Sequence, residues 1–519
     1  MRKILAFPFH PFLWGIFPVV ALLANNADQI RAESGLRSLA LSLGATVVLY
    51  AVFRLVLGDW ARAAIITSIT LLLFFSYGHV YETLRTAGET GAVLARHRFM
   101  IPLWIGLWVA AFLWVWRRAG DRAELTTALN LISFAVLVLP LYQIWRFDSA
   151  FRQALAEPVQ AASADCSLSF DSEERPPDIY LIVLDAYARD DVLAETYGYD
   201  NQWFIDALEE RGFYVPAYSQ SNYIHTELSL ASMLNMDYVQ NLDVNYEADS
   251  REKAALWPLL RTGEVRQALE CVGYNIVTLD SGYYWSGWHD ADTYLTPNLG
   301  GAARLSASAS INPFEAMLIE RSLGLILSDA SNLLPDFLEP DIDAPLRQHR
   351  QRVFFGLDSL TNTVPGLPGP KFVYAHFLVP HGPFTFGPEG EFNRPTGTFT
   401  LLAPNELSGY RDQVEFINGS MLEVIDGVLA GSETPPIIIL TGDHGAGGGR
   451  RDKLSILSAY HLPGDGQDLL YDTITPVNIF RLVFDRYLNG GYGLISDISY
   501  YSTYTAMYGF EEYPNPDAE

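Results

Sequence analysis

A chain of 519 residues exceeds what one hydrophobic core organises, so at least two units are expected. The net charge of −26 is unevenly spread: residues 1–150 hold 13 Lys+Arg against 8 Asp+Glu, net +5, which leaves 21 against 52, net −31, for the remainder. So acidic a second part has no basic footprint for nucleic acid, and that class of partner is excluded.

The first part contains five apolar stretches of about the 20 residues that cross a bilayer. They run from Pro8 to Leu23, Ser38 to Leu57, Ala63 to Tyr81, Phe99 to Trp116 and Thr126 to Trp145. Arg2 and Lys3 ahead of the first stretch, with Ala24-Asn25-Asn26-Ala27 behind it, resemble a cleaved signal peptide, yet four further stretches favour a retained anchor. Seven positive residues (Arg2, Lys3, Arg54, Arg62, Arg117, Arg118, Arg122) fall in the segments on one side and five (Arg31, Arg37, Arg85, Arg96, Arg98) on the other, which sets the N-terminus inside. Five crossings then place everything after about Phe147 on the extracytoplasmic, periplasmic side of a multi-pass inner (plasma) membrane protein. Trp104, Trp108, Trp114, Trp116 and Trp145 lie towards the span ends, as interfacial anchors do.

Residues 148–177 turn Ala-, Ser-, Glu- and Pro-rich and read as a juxtamembrane linker between a membrane domain, 1–147, and an extracytoplasmic domain, 178–519. The second domain opens with Asp178-Ile179-Tyr180-Leu181-Ile182-Val183-Leu184-Asp185, an apolar run that ends in a carboxylate. Ile437 to Gly445, read I-I-I-L-T-G-D-H-G, has the same construction and delivers Asp443 and His444. Between them, strand-like runs at 212–218, 274–279 and 371–378 alternate with helical ones at 201–211 and 405–429. That alternation predicts an α/β fold with a mostly parallel sheet, helices on both faces and a site at the carboxyl ends of the strands.

Only Cys166 and Cys271 occur, and no Cys-x-x-Cys spacing supports a cysteine zinc site. Outside the cytoplasm the two could form a disulfide or remain two thiols.

The strand ending in Asp185, the run Ser221-Asn222-Tyr223-Ile224-His225-Thr226-Glu227-Leu228-Ser229-Leu230-Ala231-Ser232, the block His376-Phe377-Leu378-Val379-Pro380-His381-Gly382-Pro383 and the turn Gly442-Asp443-His444-Gly445 follow one another in the chain. In that order they resemble sulfatase-like members of the alkaline phosphatase superfamily. With the preceding spans, the chain resembles that group's membrane transferases, such as lipoteichoic acid synthases and lipid A phosphoethanolamine transferases. The motifs cover 178 to about 482, and the first 150 residues agree by layout only.

The resemblance implies an alkaline-phosphatase-like sheet and one divalent metal, zinc or manganese, held by Asp185, Thr226, Asp443 and His444. Those transferases often have Glu where this chain has Asp185, a shorter arm with the same hard oxygen. Thr226 falls at the nucleophile position, ahead of a helix expected to start near Leu228, where metal coordination and a helix N-terminus favour the alkoxide. On residue type alone it reads equally as a helix cap. His381 matches a substrate-binding position, and His376 reads either as a site residue or as a hydrogen-bonded core histidine.

Past the D-H-G turn the chain departs from the phosphoethanolamine transferases: Ala446-Gly447-Gly448-Gly449-Arg450-Arg451-Asp452-Lys453 replaces an acidic residue, and the next histidine is His461. A second metal is left without support. Arg450, Arg451 and Lys453 form a cationic cluster that could hold a phosphate or sulfate oxygen, or stand as solvated loop charges. No Cys/Ser-x-Pro-x-Arg sequence exists, so formylglycine sulfatase chemistry is not expected. Tyr283, Tyr284, Trp285 and Trp288 read as a glycan or headgroup wall or as core aromatics.

The resulting expectation is a transferase that moves a phosphate-linked headgroup, phosphoglycerol or phosphoethanolamine, from a membrane lipid donor to an envelope glycan or lipid acceptor through a phosphothreonine. An ester hydrolase and a non-catalytic membrane scaffold are the competing readings, and the sequence is silent on oligomeric state.

Overall fold

The computed structural model describes residues 7–27, 30–117, 123–156, 168–170, 176–242, 244, 246–283, 285–297, 311–326, 343–393 and 406–517. Two compact units emerge, one from Met1–Ser149 with Gly300–Arg347, the other from Ala150–Leu299 with Gln348–Glu519. Most of the expected linker, Tyr284 and Cys166 lie outside the described residues. Cys271 is disulfide-bonded.

The first unit is helical: α1 (His10–Asn25), α2 (Leu36–Leu57), α3 (Trp60–Arg85), α4 (His97–Arg117) and α5 (Ala123–Ala156). Four segments, Ala32–Leu57, Trp60–Arg85, His97–Arg117 and Glu124–Arg152, are long and apolar enough to cross a membrane. The expected first span is shorter: α1 has 16 residues. At about 1.5 Å per residue that is about 24 Å, short of a hydrocarbon core of about 30 Å. The five-span expectation is thereby corrected to four long helices and one shorter apolar one. Buried and half-buried polar side chains tie the helices together, as His10 Nδ1 does with Ser68 Oγ at 2.7 Å and Trp108 Nε1 with Thr70 Oγ1 at 2.9 Å.

A later stretch of sequence joins this unit, where the sequence reading runs one domain from 178 to 519 without a break. The helix Pro313–Glu320 begins with a capping box between Asn312 and Glu315. Glu315 also pairs with Arg37 of α2, with both side chains almost buried at 9% and 11% exposure. Leu323 N donates to Phe74 O of α3 at 2.7 Å. Arg37→Ala leaves the Glu315 carboxylate buried without its counter-charge, though still accepting from Asn312 N, a loss on the order of 3 kcal/mol. The full-length variant in detergent is expected to melt at a lower temperature than wild type, whereas Glu315→Gln in the Arg37→Ala background recovers part of the loss. An unchanged melting temperature for Arg37→Ala would show that the pair holds nothing in place.

The second unit is built on a six-stranded sheet in the order β3-β2-β4-β1-β5-β6. Its strands are β1 (Ile179–Leu184), β2 (Asn275–Leu279), β3 (Thr293–Leu295), β4 (Lys371–Phe377), β5 (Ile437–Gly442) and β6 (Ser458–His461). All pairs are parallel except β5 with β6. Every residue of β1, β4 and β5 is buried, which is why the three read as mostly apolar runs rather than alternating ones, with Lys371 and His376 as the charged or ionisable exceptions in β4. Helices α6 (Thr226–Asn235), α7 (Ala344–Asp358), α8 (Glu406–Gly431) and α9 (Pro476–Tyr487) flank the sheet. Tyr180, Ile182 and Leu184 of β1 join Val353 and Leu357 of α7 and Val414, Ile417 and Val424 of α8 in one core. The other face carries Phe372, whose ring meets Phe480 of α9 at 5.9 Å. Two consecutive β-strand residues thus serve two layers, as the period of 2 requires. A hairpin of β7 (Ser499–Thr503) and β8 (Ala506–Tyr513) follows.

Candidate active site

The central strand delivers the site. Leu184 is in register with Gly442 of β5 and with Phe377 of β4, so the residues that follow β1 and β5 emerge side by side, with His376 one step inside β4. Asp185 and Asp443 are each 1% exposed, His376 4% and His444 7%. Backbone groups hold the ends in place: Asp185 N donates to Phe377 O at 2.9 Å and His381 N to Asp185 O at 3.0 Å. Asp443 Oδ1 accepts from Ala186 N at 3.0 Å and from His444 N at 2.9 Å. That leaves Asp443 Oδ2 for other work.

The remaining donor atoms converge without bonding to one another. His376 Nε2 is 3.6 Å from Asp185 Oδ2, and His444 Nε2 is 3.6 Å from Asp185 Oδ1 and 3.8 Å from Asp443 Oδ2. These separations exceed hydrogen-bond length. Asp185 Oδ1, Asp443 Oδ2 and both ring nitrogens of His376 are buried with no hydrogen-bond partner among the described residues. One ligand atom each from Asp185, His376 and Asp443 falls within 4.8 Å of the others. Buried polar atoms left unpaired are costly, and a divalent cation among them satisfies Asp185 Oδ1, Asp443 Oδ2 and one ring nitrogen of His376 at once. Two carboxylate oxygens and two imidazole nitrogens suit zinc or manganese. His444 Nδ1 lies 2.9 Å from Gly445 O, and a proton on Nδ1 would leave Nε2 its lone pair towards the cluster. Burial pushes the Asp185 carboxyl up, but His381, His376 and His444 together outweigh it and hold it below the usual carboxylate range.

Gly445 explains the last letter of the D-H-G turn. A Cβ there would lie 2.0 Å from Asp452 O and 2.5 Å from Ser455 O, both backbone atoms that cannot swing aside. Gly445→Ala is expected to displace His444 and lower metal affinity by about tenfold, the scale seen when the support of a ligand is disturbed. Metal titration of the folded variant checks this, and wild-type affinity would refute it.

Thr226 is the first residue of α6, two positions earlier than the sequence suggests. The N-cap is His225, with no side-chain cap bond, so the hydroxyl of Thr226 is not what caps the helix. It is half-buried. His225 was not singled out by sequence. Burial first, then the charges of Lys253, His444 and Lys453, pushes its imidazole down to about 3.

His381 is half-buried, its ring centroid 6.4 Å from that of His444, and Gln413 Nε2 fixes the loop through Pro380 O and His381 O, both at 3.0 Å. Arg450 and Arg451 lie on the helix Arg450–Leu454 and direct their donors at carboxylates. Arg450 pairs with Glu511 at 2.6 Å over the ring of Tyr501, and Arg451 with Asp191, Glu195 and Asp517. Of the four candidate wall aromatics, Trp288 is core, stacked on Tyr374 at 4.6 Å. Tyr283 and Trp285 stack on each other at 5.2 Å and lie 6.5 and 6.4 Å from His376.

No protein-family model and no curated protein matches the sequence. Solved structures do. The zinc complex of the C-terminal periplasmic domain of EptC from Escherichia coli is 12% identical with a TM-score of 0.40, over 66% of this chain and 94% of that one. The integral membrane lipooligosaccharide phosphoethanolamine transferase A of Neisseria meningitidis is 13% identical with a TM-score of 0.34, over 88% of each chain. A 2-O GAG sulfatase is 13% identical with a TM-score of 0.37, over 66% of this chain and 76% of that one. Phosphoethanolamine transferases and a sulfatase are thus among the structural neighbours.

Proposed function

We propose that the chain is a membrane-anchored, metal-dependent phosphotransferase that moves a phosphate-linked headgroup, of the phosphoglycerol or phosphoethanolamine type, from a membrane lipid to an envelope glycan or lipid outside the cytoplasm. The supporting observation is the buried set of Asp185, His376, Asp443 and His444, whose donor atoms face one another unpaired at the carboxyl edge of the sheet.

A divalent metal would be held by Asp185, Asp443, His444 and His376, with Thr226 as a further ligand, and would supply Lewis acidity towards a phosphoryl oxygen. Thr226 Oγ1 loses its proton to water and bonds to phosphorus while the bond from phosphorus to the lipid alcohol oxygen breaks, and that oxygen takes up a proton from water as it leaves. The position of Thr226 at the first turn of α6 favours negative charge on its oxygen. An acceptor hydroxyl then attacks the phosphothreonine, loses its proton and frees the threonine. His381 stands beside His444 at the open side, where it orients the oxygen that enters or leaves. Arg450 and Arg451 give up carboxylate partners if they take part. With water as acceptor the same groups carry out hydrolysis.

The test is mass spectrometry of the Thr226 peptide after incubation of the metal-loaded protein with membrane lipids. A phosphodiester adduct on Thr226, whose mass names the headgroup, is expected. Lipid turnover with no adduct trapped, even on acid quench, would overturn the covalent route.

A further inference from the structure

Beside the metal cluster the sheet edge carries a third aspartate. Asp280 follows β2 and is fully engaged: Oδ1 accepts from Gly282 N at 3.0 Å, and Oδ2 accepts from Arg352 Nε at 3.1 Å and Thr296 Oγ1 at 3.3 Å. Arg352 comes from α7, 72 residues further along the chain. Its guanidinium lies over Gly282, at φ +97°, where a Cβ would come within 2.9 Å of Nη1. Asp280, Ser281, Arg352, His376 and Phe377 line one pocket, so the ion pair and a member of the metal cluster share a wall.

The two edges of this guanidinium differ. Nε is held by Asp280, whereas Nη1 and Nη2 have no hydrogen-bond partner among the described residues, with the side chain 22% exposed. Arg451 is closed off by carboxylates, Arg450 meets Glu511 through Nη1 over the ring of Tyr501 with its side chain 48% exposed, and Arg350 donates to the backbone oxygens of Thr385, Glu391 and Gly390; of these, Arg352 is the one that shares a pocket with His376. A planar fork fixed at one edge and free at the other is the arrangement that binds an oxyanion through two parallel hydrogen bonds. In a unit this acidic, an anion arriving elsewhere on the surface meets mostly like charge.

We propose that Arg352, oriented by Asp280, is an oxyanion subsite beside the His376 side of the cluster. It takes a second phosphate or carboxylate, carried by the acceptor and distinct from the phosphoryl group transferred. This rests on the reading of the cluster as a phosphoryl-transfer site. A lipid phosphodiester has one anionic phosphate, which the cluster takes, so the second anion belongs to the other substrate. The subsite therefore selects acceptors that are already phosphorylated or acidic next to the receiving hydroxyl.

The test uses the full-length, manganese-loaded protein in detergent, with bis(p-nitrophenyl) phosphate turnover as reporter. Propyl phosphate and 1,3-propanediol bisphosphate, with its ethane and butane analogues, serve as inhibitors. For the wild type, the best-fitting bisphosphate is expected to inhibit about tenfold more strongly than propyl phosphate, the worth of one charge-assisted pair of bonds. Arg352→Gln brings that ratio close to one, and Arg352→Lys restores part of it. A ratio that Arg352→Gln leaves unchanged overturns the subsite. Should Arg352→Gln not fold, Asp280→Asn, which releases the guanidinium from its orientation, is expected to lower the same ratio, and a wild-type ratio there is equally fatal. If the wild type does not turn over the reporter, the phosphoryl-transfer reading fails by itself. Calorimetric binding of the same two ligands then decides the subsite alone: a preference for the bisphosphate that depends on Arg352 upholds it, and equal binding by wild type and Arg352→Gln rejects it.

Discussion

Thr226→Ala is expected to reduce turnover by about a thousandfold or more, the scale of losing a nucleophile when the rest of a site survives. The protein should remain folded with its metal bound. Asp185, Asp443, His376 and His444 all come from strands or strand ends that Thr226 does not support, while α6 keeps its His225 cap. The side chain removed is half-buried, so little stability goes with it. Thr226→Ser is the informative companion, because it keeps the hydroxyl and drops only a methyl. It should retain measurable turnover and form an adduct on Ser at residue 226. If Thr226→Ala instead retains activity within about threefold, the hydroxyl is a helix residue and the covalent mechanism is wrong. Loss of both metal and activity would be a different result, in which Thr226 supports the cluster rather than attacks from it.

The parts of this site that the sequence disclosed share one physical cause. A strand buried on both faces must be apolar along its whole length, so the first polar residues after it are conspicuous, and they sit where a parallel sheet puts ligands. Asp185 and the Asp443-His444 pair stand out for that reason. His376 reads in sequence either as a site residue or as a core histidine, because a histidine inside an apolar strand looks the same whether its nitrogens are satisfied or not. Only the structure shows both of them unpaired. Arg352 was invisible for another reason: the Arg352–Asp280 pair joins residues 72 apart, and nothing in the helix around Arg352 separates it from Arg347 or Arg350. Arg450 and Arg451 read in sequence either as a phosphate clamp or as solvated loop charges, because the carboxylates they meet, Glu511 and Asp517, are 61 and 66 residues away. The same limit applies to the first unit. Hydropathy finds apolar stretches, but it does not register that α1 is one turn or two too short, or that the Pro313–Glu320 helix pairs back onto α2.

Removing the metal should affect stability and turnover together, and a single substitution should reverse the sign of the stability effect. In the metal-free protein two carboxylates, each 1% exposed, face each other across His444 with their free oxygens unpaired. The three imidazoles around Asp185 offset part of the repulsion, but they leave Asp443 Oδ2 without a bond. Chelation is therefore expected to abolish turnover and to lower the melting temperature by several degrees, about 2–4 °C for each kcal/mol lost in a unit of this size. Added zinc or manganese should restore both. Asp443→Asn keeps the oxygen that accepts from Ala186 N and His444 N, and replaces the orphaned Oδ2 with an amide that can donate to Asp185. In the chelated state this variant should melt above the wild type by an amount worth about 1–3 kcal/mol, because one unpaired buried charge has gone. With metal present it should melt below, because a charged ligand has gone. A wild type whose melting point and turnover ignore the chelator, verified metal-free by elemental analysis, would end the metal reading. An Asp443→Asn protein that is less stable in both states would show that its two backbone hydrogen bonds, not its charge, are what the fold requires.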